Sequence, residues 1–253
     1  MKYLLAFCAL LCGIGLAKAA SSGAHEPAVL FKYHESAPFV DKNGQGFAAD
    51  LSDYLIRRME GEPSSMKTVP RRRLDTLMTA PDFNGAVLLV EPSRFGDPSM
   101  KTYYWTKPIF VEEDVIVSLA IHDFEYQSPD SLKGKTGGIV RGYQYPMFDA
   151  LIEKGSITRY DTLDETSGLQ MVNLNRLDAI VIARSALGFL ANELKLNDKI
   201  HISKVPVNSY ERRILVSKRN PQLKGALDLG IAGMAKDPAW KSILNRYSLG
   251  ESK

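Results

Sequence analysis

The sequence predicts an α/β fold made of two similar units in series, followed by a helical tail. Short apolar runs typical of strands alternate with stripes of helical period: the run "GAVLLV" at 85–90 follows the stripe "RRRLDTLMTA" at 71–80. The same alternation returns in the second half, and no Pro- or Gly-rich linker separates the halves. Such alternation is typical of a largely parallel sheet covered by helices.

The first unit opens with "VLFKYH" at 29–34, which has strand character, and a loop at 35–46 that contains Pro38 and several turn-forming residues. A helix is expected over 47–59, where apolar residues recur at helical spacing. A second short helix and the buried strand "GAVLLV" follow, and Arg94 lies just beyond that strand. The helical stripe consists of Phe47, Leu51, Tyr54, Leu55 and Met59.

The second unit repeats this order. "EDVIVSLAI" at 113–121 is an apolar run of strand type, and a strand at 136–140 leads through a glycine loop at Gly142 into a helix. The stretch 169–194 predicts helix, strand and helix again. The segment 221–247 is expected to be almost wholly helical, with Pro221 near its start.

The first 19 residues have the features of a signal peptide. Lys2 supplies a positive charge, residues 3–16 form one apolar run, and "AKA" at 17–19 offers the small residues that a signal peptidase reads. The run is shorter than the roughly 18 residues that a transmembrane helix needs. We therefore expect cleavage near Ala19 and export to the periplasm.

Composition excludes several classes of function. Both cysteines, Cys8 and Cys12, lie in the predicted signal peptide, so the mature chain has no disulfide, thiol nucleophile or thiolate metal site. The net charge is +3, or +1 without Lys2 and Lys18, which argues against a nucleic-acid partner. The four histidines lack metal-ligand spacing, and nothing marks a catalytic acid–base pair. No metal, cofactor or catalytic residue is predicted.

Four segments, in order, resemble family 3 of the bacterial extracellular solute-binding proteins. They are "YHESAPFVDKNGQGFAADLSDYLIRRM" at 33–59, "SLKGKTGGIVRGYQYP" at 131–146, "NRLDAIVIA" at 175–183 and the segment 212–247. The resemblance implies the type II periplasmic binding protein fold: two α/β lobes with mixed, mostly parallel sheets, joined by two crossover strands. After the signal peptide at 1–19, lobe 1 would comprise 20–111 and 209–253, and lobe 2 would comprise 112–208.

The resemblance also implies where a ligand binds. Arg94 matches the arginine that holds the ligand's carboxylate, and a guanidinium offers a planar fork of donors suited to that group. The alternative is a solvated charge at the rim. Gly142, Tyr143 and Gln144 match a loop at a helix N-terminus whose backbone N–H groups favour an anion.

Other positions depart from the family's pattern. Its stacking aromatic residue would fall at Ser36, so the aromatic side chains nearby are candidates to replace it, and Ser93 is the only hydroxyl near the arginine. The acid that takes a ligand's α-amino group would fall at Ala183, and Arg184 follows it. A buried unpaired cation is costly, so a small organic acid that faces Arg184 is at least as compatible as an amino acid. The aromatic candidates are Tyr33, His34 and Phe39.

These observations predict an exported, monomeric protein that captures a small carboxylate-bearing solute, an amino acid or an organic acid. It would deliver this solute to an ABC transporter permease or a membrane receptor. One alternative is an enzyme on the same scaffold, similar to cyclohexadienyl dehydratase. It would need a cleft carboxyl group with a raised pKa, for which Glu35 and Glu165 are candidates. Another is a sensor subunit that binds a partner through an exposed apolar patch.

Overall fold

The computed structural model describes residues 28–34, 36–40, 43–59, 65–122 and 124–249. The predicted signal peptide and Glu35 lie outside these residues. The described chain forms helices and strands in the alternation expected from the sequence. The strands are β1 (Val29–Lys32), β2 (Ser65–Thr68), β3 (Gly85–Val90), β4 (Tyr104–Trp105), β5 (Phe110–Leu119), β6 (Thr136–Val140), β7 (Thr158–Thr162), β8 (Ala179–Ala183), β9 (Ile200–Ile202) and β10 (Asn208–Val216). The helices are α1 (Phe47–Ile56), α2 (Arg71–Thr79), α3 (Pro146–Glu153), α4 (Glu165–Asn173), α5 (Arg184–Glu193), α6 (Pro221–Ala232) and α7 (Pro238–Arg246).

The first lobe is a sheet in which β1 lies between β2 and β3, parallel to both. The returning strand β10 pairs antiparallel with β3 and with the short β4. All six residues of β3 are buried, because helices cover both faces of the sheet. Residues of α1, α6 and α7 build the core on one face, and α2 packs on the other.

The second lobe places β6 between β7 and β8, again in parallel, and β8 runs antiparallel to β5. The short β9 also pairs with β5. Apolar residues of α4 and α5 pack on one face, and α3 packs on the other. Each lobe therefore has its own hydrophobic core.

The strands β5 and β10 connect the lobes. They pair antiparallel from Asn208 opposite Asp114 to Arg212 opposite Phe110, so the hydrogen-bonded path continues from one sheet into the other. The predicted two-lobe α/β fold with two crossover strands is thus confirmed. The residue bounds given above for the lobes stay a prediction.

A β-bulge interrupts β3 near its end. Val87 pairs with Leu215 and Val90 pairs with Arg213, so β3 holds one residue more than β10 between these two pairs. Within this stretch Leu89 has a φ of 59°, which is uncommon for a residue other than glycine. Bulges re-aim groups beside functional sites. Here the carbonyl of Leu89 accepts a hydrogen bond from Arg212 Nη1 at 3.1 Å.

No helix among the described residues is long and apolar enough to cross a membrane.

Candidate functional site

The predicted ligand residues follow the carboxyl ends of parallel strands in both lobes. Tyr33 and His34 follow β1, Arg94 follows β3, and Tyr143 follows β6. Glu165 begins the helix after β7. In open α/β sheets, ligands bind in the crevice outside these strand ends. The contact between Arg94 of the first lobe and Tyr143 of the second shows that the strand ends of the two lobes lie close together.

Arg94 lies in a short 3-10 turn, Ser93–Phe95, after β3. Its backbone carbonyl accepts a hydrogen bond from Arg71 Nη2 at 2.8 Å. Its Nε donates to Glu91 at 3.1 Å, and its Nη2 lies 3.9 Å from Asp114 Oδ2. The side chain remains 37% exposed. Arg94 is therefore aimed toward the crossover strands and still presents donors to solvent.

Arg94 also reaches the second lobe. Its guanidinium carbon lies 5.7 Å from the ring centre of Tyr143 and 5.3 Å from that of Tyr210 on β10. These are cation–π distances. Arg94 thus lies where the two lobes face each other, and Ser93 beside it is exposed.

The three aromatic candidates form one stack. Tyr33 and His34 have ring centres 4.4 Å apart, and His34 lies 4.7 Å from Phe39. Both ring nitrogens of His34 are buried without a close hydrogen-bond partner among the described residues, and the backbone of Leu89 is the polar group that interacts with the ring. Burial, and then the positive charges of Arg212 and Arg94, hold the pKa of His34 well below its usual value, so the imidazole is neutral. A neutral imidazole offers a ligand one donor and one acceptor.

Arg212 on β10 is a second guanidinium at this site, and it is only 6% exposed. Its Nη2 lies 3.2 Å from the Tyr210 hydroxyl and 3.5 Å from Glu112 Oε2. Its Nε has no partner among the described residues. Glu112 in turn accepts a 2.6 Å hydrogen bond from the hydroxyl of Ser185, in the first turn of α5. The sequence showed only a basic pair at 212–213, so the role of Arg212 was missed.

Asp114 on β5 is the carboxyl group that lies nearest to the Arg94 Nη2 atom on the crossover strands, and it is 2% exposed. The Tyr210 hydroxyl donates to its Oδ1 at 3.4 Å and Tyr145 also hydrogen-bonds the carboxyl group, whereas the Oδ2 atom has no close partner among the described residues. Burial raises the pKa of Asp114, and the opposing effect of Arg94 does not cancel that rise. In the sequence this residue was hidden in an apolar run of strand type. Its one signal was that it ends a run of three acids, 112–114, at the point where that apolar run begins.

Glu165 brings a second buried carboxyl group to the site. It is the first residue of α4, which Asp164 caps, and it is 7% exposed. Burial, and then the negative charges of Asp164 and Asp114, raise the pKa of Glu165.

Tyr143 is 40% exposed. Desolvation by its surroundings and the charge of Glu165 raise the pKa of Tyr143 to about 12.

Comparisons with solved structures identify the fold. The ligand-binding core of GluR0 from Nostoc punctiforme, in complex with L-glutamate, superposes with a TM-score of 0.65 at 16% identity, over 88% of this chain and 100% of that one. Substrate-binding domain 2 of GlnP from Lactococcus lactis superposes with a TM-score of 0.66 at 16% identity, over 90% of this chain and 98% of that one. An ancestral amino-acid-binding protein, described as a precursor of cyclohexadienyl dehydratase, superposes with a TM-score of 0.62 at 17% identity, over 88% of this chain and 95% of that one. The chain has the family 3 solute-binding protein fold. No family model matches the chain, and no curated protein matches it in sequence.

Within this fold, the glycine loop of the second lobe forms an exposed turn. Gly142 has a φ of 88°, and the backbone N–H of Tyr143 donates to Val140 at 2.9 Å. Gly142 and Gln144 are exposed ahead of α3. Of the predicted loop residues, Tyr143 is therefore the one that the structure brings to Arg94.

Arg184 is held differently from the other predicted residues. Its Nε donates to Glu113 at 2.7 Å. Because successive side chains of a strand point to opposite faces, Glu113 lies on the other face of β5 from Glu112 and Asp114. The structure thus pairs Arg184 with a carboxylate on that other face. Ala183, where the family's acid was expected, lies directly opposite Asp114 in the β5–β8 ladder.

Proposed function

We propose that this chain is an exported, monomeric solute-binding protein that closes on a small carboxylate-bearing solute and presents it to an ABC transporter permease or a membrane receptor. The observation that carries this proposal is the position of Arg94. It extends from the first lobe toward Tyr143 of the second, beside both crossover strands. A guanidinium that bridges two lobes in this way can couple carboxylate binding to lobe closure.

The surroundings of Arg94 also suit an anionic group. Glu91 takes only its Nε, and the contact with Asp114 at 3.9 Å is longer than a hydrogen bond. The other N–H groups of the fork remain available for a carboxylate. A charge-assisted hydrogen bond of this kind contributes about 1.5–3 kcal/mol when water is excluded.

The test is Arg94→Ala, measured by calorimetric titration with free amino acids and small organic acids as probes. We expect a ten- to hundredfold loss of affinity, which corresponds to roughly 1.5–3 kcal/mol. Arg94→Lys should restore only part of it, because an ammonium group lacks the bidentate fork. Arg72→Ala is the matched control, since Arg72 is an exposed arginine of α2. Equal affinity in Arg94→Ala and the wild type would contradict the proposal.

The alternatives receive less support. Glu165 has the raised pKa that a dehydratase-like enzyme would need, but burial beside other carboxyl groups also explains that shift. The GluR0 and GlnP domains are named for ligand or substrate binding. For a partner-binding sensor, the most exposed large apolar residues, Ile121, Leu163 and Leu229, lie in three separate segments. We therefore propose binding without turnover, which predicts that a bound probe is recovered unchanged.

A further inference from the structure

The β5–β8 ladder places a carboxyl group where the sequence alone showed none. Asp114 pairs directly with Ala183, and residues directly opposite each other in an antiparallel pair project from the same face. The carboxyl group of Asp114 is therefore on the face toward which a side chain at position 183 would point. The neighbouring strand β5 therefore carries an acid at the level where β8 has an alanine.

The partners of Asp114 leave part of its carboxyl group unused. Tyr210 and Tyr145 hydrogen-bond the carboxyl group, but its Oδ2 atom is buried without a close partner among the described residues, and the Arg94 guanidinium is 3.9 Å from it. A buried carboxylate without a full set of partners is costly. A ligand that brings its own cation to Oδ2 would remove that cost, so Asp114 has a physical reason to bind one.

The spacing of the two charges adds a second constraint. Arg94 and Asp114 lie side by side without a close hydrogen bond. A ligand with a carboxylate and a protonated nitrogen on the same carbon can contact both groups at once, each with its opposite charge. Around them, Tyr143, Tyr210 and Glu165 add ring faces and a second carboxyl group, which also favour a cation.

We propose that the ligand carries a protonated nitrogen beside its carboxylate, and that Asp114 binds this nitrogen in place of the acid absent at Ala183. This inference rests on the proposed function and narrows its ligand class. It replaces the expectation that the site has no partner for an amino group.

The experiment compares probes that differ only in the nitrogen. Glutamate is paired with glutarate, arginine with 5-guanidinopentanoate, and phenylalanine with 3-phenylpropionate. Each probe is titrated calorimetrically into the wild type, Asp114→Asn and Glu113→Gln. Glu113 is the matched control because it is the next carboxylate on the same strand, on the opposite face and paired with Arg184. Thermal unfolding of each variant shows whether it is folded.

We expect at least one amino acid to bind the wild type tenfold or more tightly than its partner without the nitrogen. Asp114→Asn should remove that preference, and Glu113→Gln should keep it. Binding of the amino acid should also release protons, since a cation favours the ionised form of a carboxyl group whose pKa is raised. The titratable groups coupled to Asp114 could share in this release, so the proton count is compared between the wild type and Asp114→Asn. These groups are Arg94, Glu112, Tyr145, Glu165, Tyr210 and Arg212.

The titrations distinguish a failure of the inference about Asp114 from a failure of the proposed function. If acids bind equally well with and without the nitrogen, or if Asp114→Asn keeps the preference, the inference about Asp114 is wrong while solute binding stands. If no probe of either kind binds the wild type, the proposed function fails, and the inference fails with it.

Discussion

Asp97 anchors the loop that follows Arg94, and its replacement by asparagine should destabilise the protein in a pH-dependent way. The Oδ1 of Asp97 accepts hydrogen bonds from the backbone N–H groups of Lys101 at 2.7 Å and Thr102 at 3.0 Å. Its Oδ2 accepts from the N–H of Tyr103 at 3.1 Å and from Trp105 Nε1 at 2.9 Å. The residue is 2% exposed. The charge of Asp97 therefore organises the whole segment up to β4.

The pKa of Asp97 gives the size of its contribution to the free energy of unfolding. Burial alone would raise the pKa of Asp97, but the hydrogen bonds from Trp105 and from the backbone outweigh burial and lower it from 3.8 to about 2. One pKa unit corresponds to about 1.4 kcal/mol, so the ionised carboxylate contributes about 2 kcal/mol to folding at neutral pH. Because the folded pKa is the lower one, this stability is present above the unfolded value. It is lost as the pH falls from about 4 toward 2.

We expect Asp97→Asn to lower the free energy of unfolding by about 2–3 kcal/mol at pH 7, since an amide keeps one acceptor oxygen but turns an NH2 group toward backbone donors. The difference from the wild type should shrink below pH 4. Urea unfolding at several pH values measures both effects, with Asp82→Asn as the control because Asp82 is an exposed aspartate near the same sheet. A difference below about 0.5 kcal/mol at pH 7, or one that does not change with pH, would refute the reasoning.

Two further changes test the packing around the site. Glu112→Gln should cost about 3–5 kcal/mol in urea unfolding, because it leaves the buried Arg212 without its counterion and weakens the contact with Ser185. A loss under 1 kcal/mol would show that Arg212 is neutralised by other means. Asn220→Ala should cost about 1 kcal/mol in the same assay, because the side chain of Asn220 caps α6 by accepting from the N–H of Leu223 at 2.8 Å. Equal stability of this variant and the wild type would contradict the capping role.

The sequence was sufficient for elements whose signal is local. The buried strand β3 and the amphipathic α1 and α2 were predicted from their periodicity, and the structure has them. The position of Arg94 just beyond the end of β3 was also predicted, whereas its role as a ligand residue came from the family resemblance and stays a prediction. By contrast, β2 ("SMKT") and β7 ("TRYDT") are short and polar, so neither gives the alternation by which a strand is recognised.

The acidic half of the site could not be predicted because it depends on pairing between distant strands. Asp114 becomes significant only when the register sets it opposite Ala183. The adjacent residues Arg212 and Arg213 look alike in sequence but project from opposite faces of β10. Arg212 contacts Glu112, while Arg213 donates to the carbonyl of Thr106 at 2.5 Å. Sequence periodicity does not show which of two neighbouring arginines meets a buried acid.

The bulge at Leu89 connects these separate features. A positive φ at a leucine costs of order 1–3 kcal/mol, and such strain persists where the surrounding structure over-determines it. Here the strained backbone turns its carbonyl to Arg212, which also donates to the hydroxyl of Tyr210 at 3.2 Å. That hydroxyl in turn donates to Asp114, which faces Arg94. The chain of contacts thus runs from the end of β3 across both crossover strands and back to the turn after β3. Relaxing the bulge would change the direction of the Leu89 carbonyl and, through Arg212 and Tyr210, the charges that Asp114 and Arg94 present to a ligand.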